Sequence, residues 1–583
     1  MKIRISKATV LLALPIVIAC CGLTTSCSKM LSTDSEFVQF AEDNTLDQPE
    51  DTIFSMMGVI RDLQVVADRL VLLGELRGDL VVTTDKATKD LKNLAAFNFS
   101  EENKYNSISD FYAVINDCNF FIANADMYLE RLGKVIFERE FAAIKTYRAW
   151  TYLQMAKIYG AVPLVLDPVL TESDAQKEMQ KKPSDIYEIC DYFLDDIAEF
   201  IDTELPQYGN MGSYQSSQFF IPVRVLMGEL FLWMGYYEEA IEYLADYLTL
   251  GNNPIPTGLV SAYWNDNIDN FATAVPTGSF GSMFNSSVSE EVISMIPMEE
   301  NEYFGVKSYL PEIFNSVENT NYGFFQVTPS QAMSDYSAAE DYCYLYTTKV
   351  GKDTIYVPKD NLQKKYYAGD LRFCQTYTYG TVNRNEYSKY SSATQNISKH
   401  TGLYVVTYRR QQVYLMLAEA LNRAGFPESA MCVLKYGLTN LNMARYISER
   451  EYEDVSYYLF FNDVIFTEQN TQGIHSRGCG EAECDTLYVL PMPETALASY
   501  EDTVAYQIPL VEDMIMREMT LEKAFEGQRY YDLMRIALRR GEPEYLAKAV
   551  ASRSGKMDAD LFSFLSNPEN WYLPIETPEK ENE

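Results

Sequence analysis

The sequence predicts a mainly α-helical protein: a scaffold of helix pairs carrying one large irregular insertion and a few short strands. Three observations predict it. Helical periodicity runs through residues 51–205 and returns after residue 401. Two helix–turn–helix stretches repeat each other far apart in the chain. Between the copies lie residues 252–400, rich in Gly, Asn, Ser, Thr and aromatics and poor in helical period.

In chain order, the first segment is an address. "MKIRISK" is basic and "ATVLLALPIVIACCGL" is apolar, too short and too early for a membrane span, so the pair reads as a secretory signal. "LTTSCSKML" then offers small residues before a cysteine, the pattern at which a bacterial signal is cut and the cysteine lipidated. Cys27 is the expected lipidated residue, because cleavage there leaves a polar start; "VIAC", ending at Cys20, fits the same pattern. The expected organisation is a signal peptide over 1–26 and one domain over 27–583, with scaffold at 48–251 and 401–583 and the insertion at 252–400. Lipid chains would hold such a protein to a membrane without a spanning helix.

The scaffold helices follow. "DTIFSMMGVIRDLQVVADRLVLLGEL" (51–76) carries apolar residues at helical spacing. Residues 107–130 and 134–160 read as a helical pair, the second with Ala149, Tyr152, Ala156 and Tyr159 alternating small and large, as close packing requires. Gly160 and Pro163 stop it. The helix of 183–205 opens on a cap at Ser184. The repeat pairs "LMGELFLWMGYYEEA" (226–240) with "MLAEALNRAGFPESA" (416–430), matching Glu229 to Glu419 and Gly235 to Gly425. Each copy is a helix, a glycine turn, an aromatic and a second helix, which resembles a tetratricopeptide unit. Gly228 and Ala418, just before the Glu, let the paired helix approach. Inside the insertion, "KDTIYVPKD" and "DLRFCQTYTYGTV" read as strands.

Composition excludes several functions. With 83 acidic against 48 basic residues, the net charge of −35 repels phosphate backbones, so nucleic acid is not an expected partner. Only His400 and His475 are present, and no G-x-S-x-G, H-E-x-x-H or Walker sequence occurs, which argues against hydrolase, zinc-protease and nucleotide chemistry. No EF-hand-type loop marks calcium. His475, Cys479 and Cys484 form H-x3-C-x4-C, three soft ligands at a spacing unlike common zinc sites, so no metal is expected; a local disulfide and free thiols are the other readings. No cofactor is expected.

The C-terminal "REMTLEKAFEGQRYYDLMR" poses the sharpest choice. Glu518, Glu522 and Glu526 share one helix face at i, i+4 spacing, with Arg529, Asp532 and Arg535 following. A glycosidase needs two carboxylates facing each other across a sugar, about 5–10 Å apart. Three acids on one helix bracket nothing, whereas Glu and Arg ladders pair across neighbouring helices. The expectation is a structural lock and no enzyme.

Taken together these stretches resemble the SusD/RagB outer-membrane lipoproteins of the Bacteroidota. "YRAWTYLQMAKIYGAVPLV" is similar to that family's R-A-x-x-Y-x-x-L-x-x-x-Y-G-x-V-P-L. Glu518, Glu522, Glu526, Gly527, Arg529, Asp532, Leu533 and Arg535 match its E-R-x-x-E-x-x-x-E-G-x-R-x-x-D-L-x-R, with Met519 in place of the Arg. "YLPIETPEKEN" is similar to its P-I-P ending, with Glu576 replacing the second Pro. The resemblance implies a lipid-anchored lid on a SusC-like TonB-dependent transporter in the outer membrane. It implies capture of oligosaccharides, or of peptides in the RagB branch, without catalysis. Many surface members carry an acidic run after the lipidated Cys; here Lys29 comes first and Asp34 is the nearest acid.

Sugars stack on aromatic faces and hydrogen-bond to polar rims. Trp264, alone among the four Trp, sits in the insertion, flanked by Tyr263, Asn265 and Asp266; it leads the candidate ligand residues. Tyr303, Phe304, Tyr322 and Phe324 follow. The resemblance adds Arg77 and Asp79, because the family builds part of its site from the loop after the early helix.

Overall fold

The computed structural model describes Leu46, residues 49–256 and 393–575 and, between them, 260–264, 274–278, 280, 283–284, 289–300, 303, 305–316, 325–347, 349–356 and 369–381. Cys27, the signal segment and Glu576 lie outside the described residues. The fold is mainly helical, as expected.

Six long helices frame the first half: α1 (Pro49–Leu76), α2 (Ile108–Asn124), α3 (Glu138–Tyr159), α4 (Ile186–Ala198), and then the first repeat, α5 (Val223–Met234) and α6 (Tyr237–Leu250). Successive helices pack on one another, and α1 also packs on α2 and α3. Nearly all of α3 is buried, so its small–large alternation serves neighbours on several sides. Gly160 ends α3 at φ 81°, a conformation that favours glycine. The cap of α4 is Asp185, one residue beyond the expected Ser184. Asp185 accepts from Tyr187 and Glu188 N–H in a capping box, while Ser184 pairs with Val162 in a two-residue bridge.

The insertion contributes hairpins and short helices. Strand β1 (Val81–Thr83), just after α1, is followed by β2 (Val260–Trp264), β3 (Ala274–Gly278), β4 (Val292–Pro297), β5 (Val327–Pro329), helix α7 (Gln331–Ala339), β6 (Cys343–Thr347), β7 (Lys352–Tyr356), α8 (Leu371–Thr376), β8 (Tyr377–Thr381), β9 (Ala393–Ile397) and β10 (Tyr404–Arg409). All pair antiparallel as β1–β5, β2–β3, β4–β10, β6–β7 and β8–β9. "DLRFCQTYTYGTV" is therefore not all strand: Asp370 accepts from Arg372 N–H and caps α8, and only the β-branched and aromatic second half extends. The β1–β5 and β4–β10 pairs tie the insertion to the scaffold.

Strand β10 runs directly into α9 (Arg410–Arg423), the first helix of the second repeat, followed by α10 (Pro427–Met431). Helix α9 packs against α6, so the two repeats are neighbours in space and the insertion leaves between consecutive helix pairs. At Gly228 in α5 an added Cβ would sit 2.5 Å from the Leu244 side chain of α6, so the small residue sets that helix spacing. Finally α11 (Tyr500–Glu522) and α12 (Arg529–Arg540) carry the C-terminal motif. One continuous apolar core spans the first half, the insertion and the C-terminal helices; a small satellite around Phe280, Phe284 and Leu371 sits under the insertion. No helix among the described residues is long and apolar enough to cross a membrane.

Candidate functional site

The C-terminal acids are committed to neighbouring cations. From α11, Glu518 meets Arg372 of α8 at 2.5 Å, and Glu522 bridges Arg372 at 2.7 Å and Arg409 of β10 at 2.7 Å. Glu526 takes Arg409 at 2.7 Å and Lys399 at 2.5 Å. On α12, Arg535 binds Glu419 of the second repeat through two bonds of 2.9 and 2.6 Å, and Asp532 takes Lys523 at 2.7 Å. The matching Glu229 of the first repeat accepts from Tyr408 and lies 3.5 Å from Lys157. Burial pushes the carboxyls of Glu518, Glu522 and Glu526 up, but the adjacent arginines, His475 and Lys399 outweigh it and hold all three below the usual carboxylate range. Acids held ionised by bidentate partners have no proton to donate and no open face for substrate. They are a lock between insertion, scaffold and C-terminus.

Arg77 and Asp79, expected at the ligand site, belong to the same lock. Both are 0% exposed. Arg77 donates to the carbonyls of Leu73 and Trp571 and to the Tyr531 hydroxyl, each at 2.9 Å. Asp79 takes Arg529 through bonds of 2.6 and 2.9 Å and the Tyr336 hydroxyl at 3.1 Å. The loop after α1 is drawn inward by the C-terminal motif, so neither side chain reaches a rim.

A cleft lies about two to three and a half turns before Arg77, where α1 faces the insertion. Its volume is about 390 Å³. Gln64, Asp68 and Arg69 of α1 form its floor, Thr88, Lys104 and Tyr105 one wall, and Lys307, Tyr309, Glu312 and Gln326 the other. The insertion wall is fixed by Asp68, whose carboxylate accepts from Ser308 Oγ at 2.7 Å and Tyr309 N–H at 2.6 Å. Burial raises the Asp68 carboxyl to about 6 despite those bonds. Arg69 is anchored to the Ser107 carbonyl at 2.7 Å and Asp110 at 2.5 Å. Gln326 accepts from Thr88 N–H at 3.1 Å, closing one end. Two aromatic rings border the opening: Tyr105, half-buried with Lys104 Nζ 4.8 Å from its centroid, and Tyr309, 61% exposed. Ring faces beside charged and amide groups suit a ligand that is flat on one side and hydroxyl- or amide-bearing at its edges.

Of the residues singled out in the sequence, Tyr263 and Trp264 lie on β2, opposite Val275 and Ala274 of β3. Tyr303 is 42% exposed on the insertion, six residues before the cleft's Tyr309. Asn265, Phe304, Tyr322 and Phe324 lie outside the described residues. Tyr105, Asp68 and Lys104 were not singled out. An acid at position 68 within an apolar helical run was the available signal, and Tyr309 stood in a stretch already marked for its aromatics. The remaining three Trp are buried in the scaffold, with Trp571 Nε1 donating to the Leu565 carbonyl at 2.7 Å. The seven described cysteines are buried and free.

Comparison with known proteins agrees with this picture. Residues 334–582 match the model of the SusD family. No curated protein sequence matches the chain. Among solved structures, the chain is similar to a SusD superfamily protein from Bacteroides vulgatus, at 15% identity and a TM-score of 0.52, over 90% of this chain and 98% of that one. It is also similar to a SusD-like carbohydrate binding protein from Bacteroides fragilis, at 14% identity and a TM-score of 0.50, over 85% and 88% of the two chains. A SusD-like protein from the same species matches at 16% identity and a TM-score of 0.50, over 84% and 87%. The C-terminal lock lies inside the segment that is similar to the SusD family, and the fold is shared with these solved structures over most of the chain's length.

Proposed function

We propose that this protein is a non-catalytic binding lipoprotein of the cell surface that captures oligosaccharides and passes them to a SusC-like TonB-dependent transporter. The cleft between α1 and the insertion carries this reading. It combines two accessible tyrosine rings with Lys104, Lys307, Glu312 and Gln326 at a seam between a rigid helix and a loop-rich wall. The solved relative whose printed description is carbohydrate binding supports a sugar as the ligand class. The engagement of Glu518, Glu522, Glu526 and Asp532 by Arg, Lys or His supports binding without hydrolysis. The lipid anchor at Cys27, the outer-membrane address facing the exterior and the single-domain organisation complete the proposal. Trp264, Tyr263 and Tyr303 are proposed to extend the surface beyond the cleft. A peptide ligand is the alternative, since tyrosine faces and amide partners serve it equally.

The test is titration of the mature chain with glycan and peptide panels, repeated on Tyr105→Ala and Tyr309→Ala. A glycan should bind, each variant should weaken it by about tenfold, the loss of one stacking ring of about 1.4 kcal/mol, and no reducing ends should be released. Binding of peptides alone favours the alternative. Glycan binding untouched by both variants, or released reducing ends, overturns the proposal. Native extraction in mild detergent should bring down a TonB-dependent barrel in stoichiometric amount; a chain that comes away alone removes the transport role.

A further inference from the structure

The H-x3-C-x4-C stretch divides in the fold. Cys484 lies beside Cys343 at the start of β6, whose thiol donates to the Glu481 carbonyl at 3.7 Å. Cys479 turns the other way, into a closed group with His475 and with Glu340 at the end of α7. One ligand-type atom from each of these three lies within 4.8 Å of the others. Asp485 stands outside that group but borders His475: His475 Nε2 is 3.5 Å from Asp485 Oδ2 and 3.7 Å from Glu340 Oε2.

These atoms are buried and under-satisfied. The side chains of His475 and Glu340 are 1% and 0% exposed, and that of Asp485 is 7%. His475 Nε2, Glu340 Oε2 and Asp485 Oδ2 make no hydrogen bond among the described residues, while Glu340 Oε1 is taken by Arg517. Leaving polar atoms buried and unpaired costs roughly 1–3 kcal/mol each, so their convergence on one point asks for a partner. A tetrahedral ion with bonds of about 2.0–2.3 Å spaces its ligand atoms roughly 3.3–3.8 Å apart, which brackets both measured distances.

The imidazole is also oriented for coordination. Its Nδ1 lies 2.9 Å from Glu518 Oε2, and Arg372 holds that Glu518 in place. The tautomer with its proton on Nδ1, toward the Glu518 carboxylate, would turn the Nε2 lone pair to Glu340 and Asp485. The Tyr488 ring stacks on the imidazole at 3.6 Å and 15°, fixing its plane. Glu340 is steadied by an ion pair with Arg517. The Cys479 thiol lies 3.5 Å from Asp370, whose charge Arg372 neutralises.

We propose that Glu340, His475 and Cys479 bind a zinc ion, with Asp485 moving in from beside His475 as the fourth ligand, as a structural site that fastens the insertion, through Glu340, to the C-terminal half. One nitrogen, one sulfur and two oxygens form a donor set that zinc accepts and that magnesium or calcium does not favour. Binding releases the thiol proton of Cys479 to solvent, and the thiolate becomes the sulfur ligand. The competing arrangement is an imidazolium at His475 held among Glu340, Asp485 and Glu518.

The experiment uses the full mature chain. Metal content is measured by mass spectrometry as purified. The protein is then stripped with a chelator and titrated with zinc chloride or cobalt chloride. One zinc per chain is expected, with a raised thermal midpoint. Cobalt should give a thiolate charge-transfer band and the strong d–d bands of a tetrahedral ion. Cys479→Ser should abolish the charge-transfer band and Cys484→Ser should keep it. The wild-type cobalt spectrum decides the matter even where a variant folds poorly. Absence of stoichiometric zinc after titration, absence of the thiolate band, its loss in Cys484→Ser with retention in Cys479→Ser, or a His475 imidazolium that persists in zinc by NMR each overturns the proposal.

Discussion

Glu522 has no water to face and three guanidinium groups to answer. Its carboxylate meets Arg372 and Arg409 at 2.7 Å and Arg477 at 3.4 Å, while its backbone carbonyl accepts from Lys399 at 2.9 Å and Arg409 at 2.7 Å. Burial alone would push this carboxyl up; Arg477, Arg409 and Arg372 together hold it far below the usual range. Neutralising it strands cations that are themselves buried, and breaking a buried pair from one side costs about 3–5 kcal/mol. Glu522→Gln should lower stability by that amount in urea unfolding. Glu204→Gln is the contrast: it removes an ion pair with Arg139 in which both side chains are about half exposed or more, and should change stability by less than about 1 kcal/mol. Equal losses at the two positions would show that ion pairing at Glu522 carries no special weight.

At the scale of elements, the lock depends on a close crossing. An added Cβ at Gly74 of α1 would lie 1.8 Å from the Gly527 carbonyl oxygen, and one at Gly527 would lie 2.6 Å from Val71 Cα. Backbone meets backbone there, so no side chain can swing aside. Gly527 also sits at φ 81°, and its N–H donates to Glu75 at 2.8 Å. Gly74→Ala should therefore cost at least about 2 kcal/mol, toward the high end of overpacking, whereas Gly351→Ala, with open space around it, should be near neutral; similar denaturation midpoints for the two would refute the crossing as a stability element. This crossing marks the limit of what the sequence carried. Helix periods, the glycine turns at 235 and 425 and the shared Glu229 and Glu419 were legible because each is a local pattern with a local cause. The partners of those acids were not: Glu419 finds Arg535 more than a hundred residues away. Arg77 and Asp79 misled for the same reason, since a charged pair after a helix looks exposed until Arg529 and the Trp571 carbonyl close over it. The cleft was half legible. Tyr309 lay in the aromatic-rich insertion without being a candidate, and Asp68 and Tyr105 acquire meaning only once α1 and the insertion meet.

Across the whole molecule, two sets of buried acids pull stability in opposite directions with pH. Glu518, Glu522, Glu526 and Asp532 have folded pKa values held below their ordinary ones. Their stabilisation is fully present above the ordinary 4.5 or 3.8 and is lost as pH falls through the depressed folded values. Asp68, Glu451 and Glu75 behave inversely. Burial raises them to about 6, about 7 and about 8, so the folded state binds more protons than the unfolded chain at intermediate pH. Their contribution is full below the ordinary value and declines as pH rises toward the folded one. Stability should therefore peak near pH 5 and fall on both sides, and self-repulsion within a chain of net charge −35 steepens the alkaline side. Glu75 isolates the cause. It is fully buried; one oxygen accepts from Gly527 N–H, while the other has no hydrogen-bond partner among the described residues. Glutamine reproduces the neutral carboxyl, so Glu75→Gln should match the wild type at pH 4.5 and exceed it increasingly toward pH 8. Thermal midpoints of both proteins from pH 4 to 9 measure this directly. Parallel curves would mean that Glu75 does not titrate with folding, and a variant weaker at every pH would mean that its charge, rather than its hydrogen bond to the Gly527 turn, holds α1 against the C-terminal lock.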